Sequence, residues 1–525
     1  METAPTVTVP PDTTLSDRLW ERFASTPRRA RIIRWAGPVL VVLLAAGTRL
    51  WRLGTPSTLV FDETFYVRDA YTMSKLGYEG SWPAGDFKGF DTFTRAAEFV
   101  VHPPLGKWLI SLGMQLFGAQ NTFSWRISTA VAGILAVVLL MLITQYLLRS
   151  VLVTTIAGLL FAIDGNAIVL SRVGLLDNFV MLFGLLGFGA ILLDREWSAV
   201  RLAAWIERRD ARGRSIDWGP ALWWRPWLLA AGLAFGLTTA VKWSGIYFLA
   251  GLAVYTVLVD LAARRRAGIP LWLGGTIVKQ GPVSFLLMVP IAVAAYLASY
   301  TGWFVTKGGW DRVWADQPGN AWTGALAWVP HVLQSFVHNE WEQYNFNINE
   351  HQSHPYQANP FSWLLMIRPT SMYFRGSQHL QNGCTVNFCG ESITNIANPL
   401  IWWGAVAAAV YLLYRLAITR EWRIGLILSG IAVGYLPWLL YANRTVFQFY
   451  TIAFEPYLIL CLAYVAWLAM GRTDAPAWRR ARGERFVAVF LVVAIGVSVF
   501  FWPLWTGIQV DFTYIRAHYW LSTWL

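Results

Sequence analysis

Apolar residues in this chain are gathered into long blocks separated by charged or aromatic-rich stretches. Eleven blocks can be read along it: 35–51, 127–148, 151–170, 179–193, 227–241, 244–259, 284–300, 399–414, 424–442, 449–470 and 486–505. An α-helix crosses a bilayer with about 20 apolar residues, range roughly 17–25. The blocks at 179–193 and 227–241 are short, and their flanks supply the missing turns. The pattern predicts an all-α polytopic membrane protein with eleven transmembrane helices.

Composition agrees, with 56% hydrophobic residues against 14% charged and a mean hydropathy of +0.44. Soluble domains carry about a quarter charged residues. The 31 tryptophans suit rings held at a membrane-water interface. Disorder, collagen and a disulfide-rich miniature scaffold are excluded.

A net charge of +12 would suit nucleic-acid binding, but the placement of the cations argues for topology instead. With the N-terminus in the cytoplasm and strict alternation, inner segments hold the arginines of 18–34, Arg149, the runs 195–225 and 264–266, Arg415, Arg420, Arg423 and the run 472–485. That is 25 of 42 lysines and arginines on about 120 residues, with 16 on roughly 210 outer residues, which is the sense of the positive-inside rule. The expected organisation is a cytoplasmic tail over 1–34, a transmembrane domain over 35–505 and an outer tail over 506–525. No cleavable signal sequence is visible, so the first helix is expected to remain as an anchor. Two outer loops, 52–126 and 301–398, are long enough to hold chemistry. Their Trp, Tyr, Phe, Pro and Asn content predicts short interfacial helices and ordered loops.

The candidate chemistry begins at Val60-Phe61-Asp62-Glu63, where two adjacent carboxylates can take a proton from a hydroxyl, bind a metal or hydrate a loop. Asp62 could equally be an N-cap, a position that aspartate favours. Further on stand His102-Pro103-Pro104-Leu105-Gly106-Lys107, Arg126, Ser171-Arg172 with Leu175-Leu176-Asp177, and Lys242-Trp243. These cations lie at outer helix ends, against the general bias. Singly, each could be a snorkelling side chain; together they point to an anion at that face, and a lipid phosphate is the obvious one. Asp164 is an ionisable group inside a span and so a functional candidate, with a helix-terminus role as the alternative. Cys384 and Cys389, on the second outer loop, could form a disulfide or remain free thiols, whereas Cys461 falls in a span.

The ordered set Phe61-Asp62-Glu63, His102 to Lys107, Asp164-Gly165, Ser171-Arg172, Leu175-Leu176-Asp177, Ser353-His354-Pro355-Tyr356, Trp363 and Arg368-Pro369 resembles the protein O-mannosyltransferase family, of the GT-C class. The resemblance runs from the first helix to the last. It implies a GT-C fold with eleven helices, a polyprenyl-phosphate-mannose donor, and Ser/Thr hydroxyls of secreted or translocating proteins as acceptors, met at the Sec translocon. It places the family's Asp-Glu pair on Asp62 and Glu63 as catalytic residues. His102, Lys107, Arg126, Arg172, Lys242, His354 and Arg368 are then expected to bind the donor phosphate or substrate. The second loop has no room for the MIR domain of eukaryotic members, which points to a bacterial, actinobacterial member in the plasma membrane with its site on the outer side. Nucleic acid is not an expected partner.

A polyprenyl monophosphate leaves without an acid to protonate it, so one base and fixed cations suffice, unlike the paired carboxylates of glycoside hydrolysis. Asp62 would be the base and Glu63 would orient it or the acceptor. Attack opposite the phosphate would invert a β-linked donor to an α-mannoside. No metal is expected: a divalent ion at His338, Glu340, His351 and His354 is the alternative, but His-x-x-His in a loop is more often structural. Two other functions compete: a GT-C relative moving aminoarabinose or arabinose to a lipid or glycan, and a transporter. The transporter is disfavoured because the charges gather at the rim and the two halves look unrelated.

Overall fold

The computed structural model describes residues 14–83, 85, 87–471 and 474–524. Residues 1–13 of the expected tail and Arg472 of the last charge run lie outside these. Among the described residues, eight helices are long and apolar enough to cross a membrane: Pro27–Leu50, Thr122–Leu148, Asp177–Asp210, Gly245–Arg266, Trp272–Ser299, Pro399–Thr419, Trp422–Tyr441 and Ala477–Thr506. A broken pair, Val151–Ile163 and Gly165–Arg172, makes a ninth span if taken as one. Two shorter apolar helices of 16 residues, Pro226–Val241 and Glu455–Met470, pack against their longer neighbours. Every apolar block of the sequence falls on one of these elements. The protein is a multi-span membrane protein.

Local chemistry sets the helix ends. Thr26 caps Pro27–Leu50, its side chain accepting from the Arg29 amide at 3.3 Å, with Pro27 at the first helical position where its missing N–H costs nothing. Asn398 caps Pro399–Thr419 by accepting from the amides of Leu400 and Ile401. The break at Asp164 bends the pair by 58°. There Asp164 accepts from the Asn166 amide at 2.8 Å to cap the second segment, and its other oxygen accepts from the Asn398 amide at 3.0 Å. A Cβ on Gly165 would stand 2.2 Å from the Ile396 carbonyl oxygen and from the Trp505 ring, so the close approach at this break requires glycine. Asp164 thus takes the helix-terminus role.

The two long loops, 52–126 and 301–398, carry the expected short helices, Glu63–Leu76, Leu105–Phe117 and His331–Asn349. They also carry a sheet that the hydrophobic pattern does not announce. Strands β1 (Thr370–Gln378), β2 (Phe388–Asn395) and β3 (Val510–Asp511) pair antiparallel in that order, with Arg375 opposite Glu391 and Cys389 opposite Asp511. Cys384 and Cys389 are joined in a disulfide at the turn of this hairpin. β2 reaches down to the helix break, where the Asn395 side-chain amide donates to Asn166 at 2.7 Å.

Candidate active site

The four residues at 60–63 place two neighbouring carboxylates in opposite surroundings. Phe61 adopts a left-handed φ of +49°, uncommon for a bulky side chain, and the strain is held by ring contacts with His354, Phe447 and Phe449. Glu63 is fully buried. Its carboxylate accepts from Arg126 Nε at 2.7 Å and Nη2 at 2.8 Å, from the Gly174 amide at 2.8 Å and from the Val60 amide at 2.9 Å. Four donors saturate it. Asp62 is half-buried and stands at the N-cap of Glu63–Leu76 without making a capping bond. Its side-chain partner is the Tyr66 hydroxyl, donating at 3.5 Å. Burial pushes this carboxyl up to about 6; Lys242 pulls down, Asp177 pushes up and the Tyr66 bond pulls down.

The expected cations divide into two groups. Arg126 donates to the carbonyls of Leu53, Pro56 and Thr58 besides Glu63, and is fully buried. Arg172 donates to the carbonyls of Thr48, Arg49, Trp51 and Arg52. Both clamp the C-terminal end of the helix Pro27–Leu50 and the loop after it, and neither lines the cavity described next. Lys107 is buried against Glu79 and Asp69. Arg368 donates to the Pro355 and Thr523 carbonyls and covers the Tyr356 ring. His354 accepts from the Tyr356 amide at 3.1 Å and packs its ring on Phe61 and Phe447. The contacts of these five are all to the protein's own groups.

Lys242 and His102 behave differently. Both line a cavity of about 520 Å³ bounded by helices Pro226–Val241, Gly245–Arg266, Trp272–Ser299 and His331–Asn349. Lys242 Nζ donates to both oxygens of Asp177, at 2.8 and 3.0 Å, and stands 4.6 Å over the Tyr450 ring. The His102 ring is 6.0 Å from that of Tyr66. Burial, then the charges of Lys242, Arg444 and Lys107, push its pKa well down, so it is a neutral imidazole at pH 7. One wall is apolar, built by Gly236, Ile246, Leu249, Ala292, Val293 and Trp438. The opposite end is charged.

Two models of a known family match the chain: "Dolichyl-phosphate-mannose-protein mannosyltransferase" over residues 101–201 and the "C-terminal four TMM region of protein-O-mannosyltransferase" over residues 332–524. A polyprenol-phosphate-mannose–protein mannosyltransferase of Mycolicibacterium smegmatis is 32% identical over 500 residues, covering 93% of each chain. The chain belongs to the protein O-mannosyltransferase family. Relatives of the same description in Mycobacterium tuberculosis and Corynebacterium glutamicum are 31% and 29% identical, with 94% and 93% of this chain covered and 92% and 93% of theirs. The solved Saccharomyces cerevisiae protein O-mannosyltransferase Pmt1–Pmt2 complex, bound to the sugar donor, superposes with a TM-score of 0.69 at 14% identity, over 98% of this chain and 95% of that one. The fold is the GT-C fold.

This mannosyltransferase-family cavity contains residues that the sequence alone did not single out. Arg444 lines it and donates to Asn347 at 2.7 Å, while Asn347 donates to the Val101 carbonyl beside His102. Tyr450 lies under Lys242. A signal for Arg444 existed, since it is another cation just beyond the end of a span, Trp422–Tyr441, but no motif surrounds it. The histidines considered for a metal are dispersed: His338 stacks on Trp314 beside Asp311, His351 bonds to the Asn443 carbonyl, and Glu340 accepts from Tyr296. Among the described residues no three His, Cys, Asp or Glu side chains form a metal-binding group.

Proposed function

We propose that this chain transfers mannose from polyprenyl-phosphate-mannose to Ser or Thr hydroxyls of secreted proteins at the outer face of a bacterial plasma membrane. The observation that carries this is Asp62, lacking a capping bond and with a raised pKa, next to the cavity that Lys242, Arg444 and His102 line: it feels the charge of Lys242 and bonds to Tyr66, whose ring is 6.0 Å from that of His102. The polyprenyl chain lies along the apolar wall and the phosphate at the charged end. Asp62 takes the proton from the acceptor hydroxyl as its oxygen attacks the anomeric carbon opposite the phosphate. The bond from that carbon to the phosphate oxygen breaks, and the electron pair leaves with the polyprenyl phosphate. Lys242 and Arg444 offset the charge that grows there. Neutral His102 donates or accepts a hydrogen bond without adding charge. Glu63, held by Arg126, fixes the backbone that aims Asp62. Acceptors are met as they leave the translocation channel.

A positioned base typically contributes about 10²–10⁴-fold, and alignment of donor and hydroxyl adds to it. The test is purified protein in liposomes with radiolabelled polyprenyl-phosphate-mannose and a Ser/Thr-rich secreted peptide. Label should appear on the peptide. Label on a lipid or glycan instead, with none on the peptide, would overturn the reading in favour of a transferase with another acceptor.

A further inference from the structure

At the far end of the bundle from Asp62, helices Asp177–Asp210 and Gly245–Arg266 enclose an open groove of about 540 Å³ that takes no part in the reaction above. Leu202, Ile206, Val259 and Ala263 build its apolar walls, and Arg195, Ser198, Glu207 and Arg266 are its polar groups. Most cations around it are already satisfied. Arg225 bridges Asp194 and Asp260, Arg264 donates to the carbonyls of Trp218, Pro220 and Gly275, and Arg423 pairs with Glu421.

Arg195 and Arg266 are different. Among the described residues neither has a carboxylate within ion-pair distance. Arg195 lies 4.3 Å over the Trp422 ring, and Arg266 gives its Nε to the Ala262 carbonyl at 3.1 Å. The two guanidinium charges are near enough to repel each other. Two like charges converging on one groove without a counter-charge are stabilised by an anion between them. The acid of the groove, Glu207, is twelve residues from Arg195, about 18 Å along the helix at 1.5 Å per residue.

The level of the pair in the membrane selects the anion. Arg195 follows directly on the apolar block 179–193, and Arg266 stands a little beyond the block 244–259. Trp223 and Trp224, 58% and 66% exposed, stand on the adjoining segment as interfacial rings do. We propose that this groove is a binding site for an anionic phospholipid, with the lipid phosphate held between Arg195 and Arg266 and the glycerol region against Val259, on the membrane side of the two arginines. Basic pockets between spans are where such headgroups are recognised. The proposal needs the groove to be at a membrane boundary and is independent of which sugar is transferred.

The full chain is reconstituted in nanodiscs of phosphatidylglycerol and phosphatidylcholine, extracted gently, and its retained lipid is counted by native mass spectrometry. Phosphatidylglycerol should be retained over phosphatidylcholine. Arg195→Gln with Arg266→Gln should lower that retention by about fivefold for each arginine, while Arg201→Gln with Arg212→Gln, an equal loss of charge outside the groove, should not. Because Arg195 packs on Trp422, Arg266→Glu alone serves as the second variant: its side chain is exposed, and reversing the charge should lower retention by more than fivefold. Equal retention of the two lipids, or full retention by Arg266→Glu, would overturn the site. Displacement of the lipid by millimolar inorganic phosphate would show a free-anion site instead, and would also overturn it.

Discussion

Asp62 and Glu63 share a peptide bond and little else. Glu63 accepts four hydrogen bonds in a sealed environment, whereas Asp62 is half-buried with one long contact to a tyrosine. If Asp62 is the base, Asp62→Asn should lower transfer by about 10²-fold or more while polyprenyl-phosphate binding persists. Asparagine is also a good N-cap, so near-normal transfer by a folded Asp62→Asn protein would end the base assignment. The pH profile follows from the raised carboxyl at about 6. A base must be deprotonated, so the rate should be flat above that value and fall tenfold per unit below it. Lys242 lowers the Asp62 pKa, so Lys242→Met should move the inflection to higher pH as well as weaken donor binding. An inflection that does not move would separate Lys242 from Asp62.

Among the elements, the spans were legible because each is a block of fifteen or more residues, most of them apolar, and nothing but a bilayer or a deep core accepts that. The helix break at Asp164 was half-legible: an aspartate before a glycine suggested a terminus, but its second partner, the Asn398 amide, comes from a segment 234 residues away. The β1–β2 hairpin was not legible. β1 mixes Arg375, Gly376 and Ser377 with aromatic residues, so period-two alternation is weak. Arg126 and Arg172 were found by motif and side, but sequence does not say that the turn over 48–58 would fold its carbonyls onto them. Their contacts change the expected phenotype. Arg126→Ala should leave the Glu63 carboxylate buried and unpaired, at a cost of about 3–5 kcal/mol. The melting temperature should drop together with activity. Arg126→Lys should not restore it, because an ammonium cannot reproduce the guanidinium fork that reaches Glu63 and three carbonyls at once. A change confined to donor KM, with stability intact, would return Arg126 to the phosphate site.

For the molecule as a whole, the charge asymmetry predicts the orientation. Cysteines placed in 195–225 should be shielded from a membrane-impermeant maleimide in intact cells, and cysteines in 87–95 should react; the reverse pattern would place Asp62 and its cavity in the cytoplasm. The cavity itself has a further consequence. One wall is hydrocarbon-like and belongs to the spanning helices, while the charged end carries Lys242, Arg444 and His102. A donor with that division of character is dissolved in the membrane and not in the water around it, so its effective concentration is a surface density. Adding unlabelled phospholipid at fixed amounts of protein and donor should slow transfer, while enlarging the aqueous volume should not. For this protein, saturation by donor is a two-dimensional quantity, set by how crowded the leaflet is.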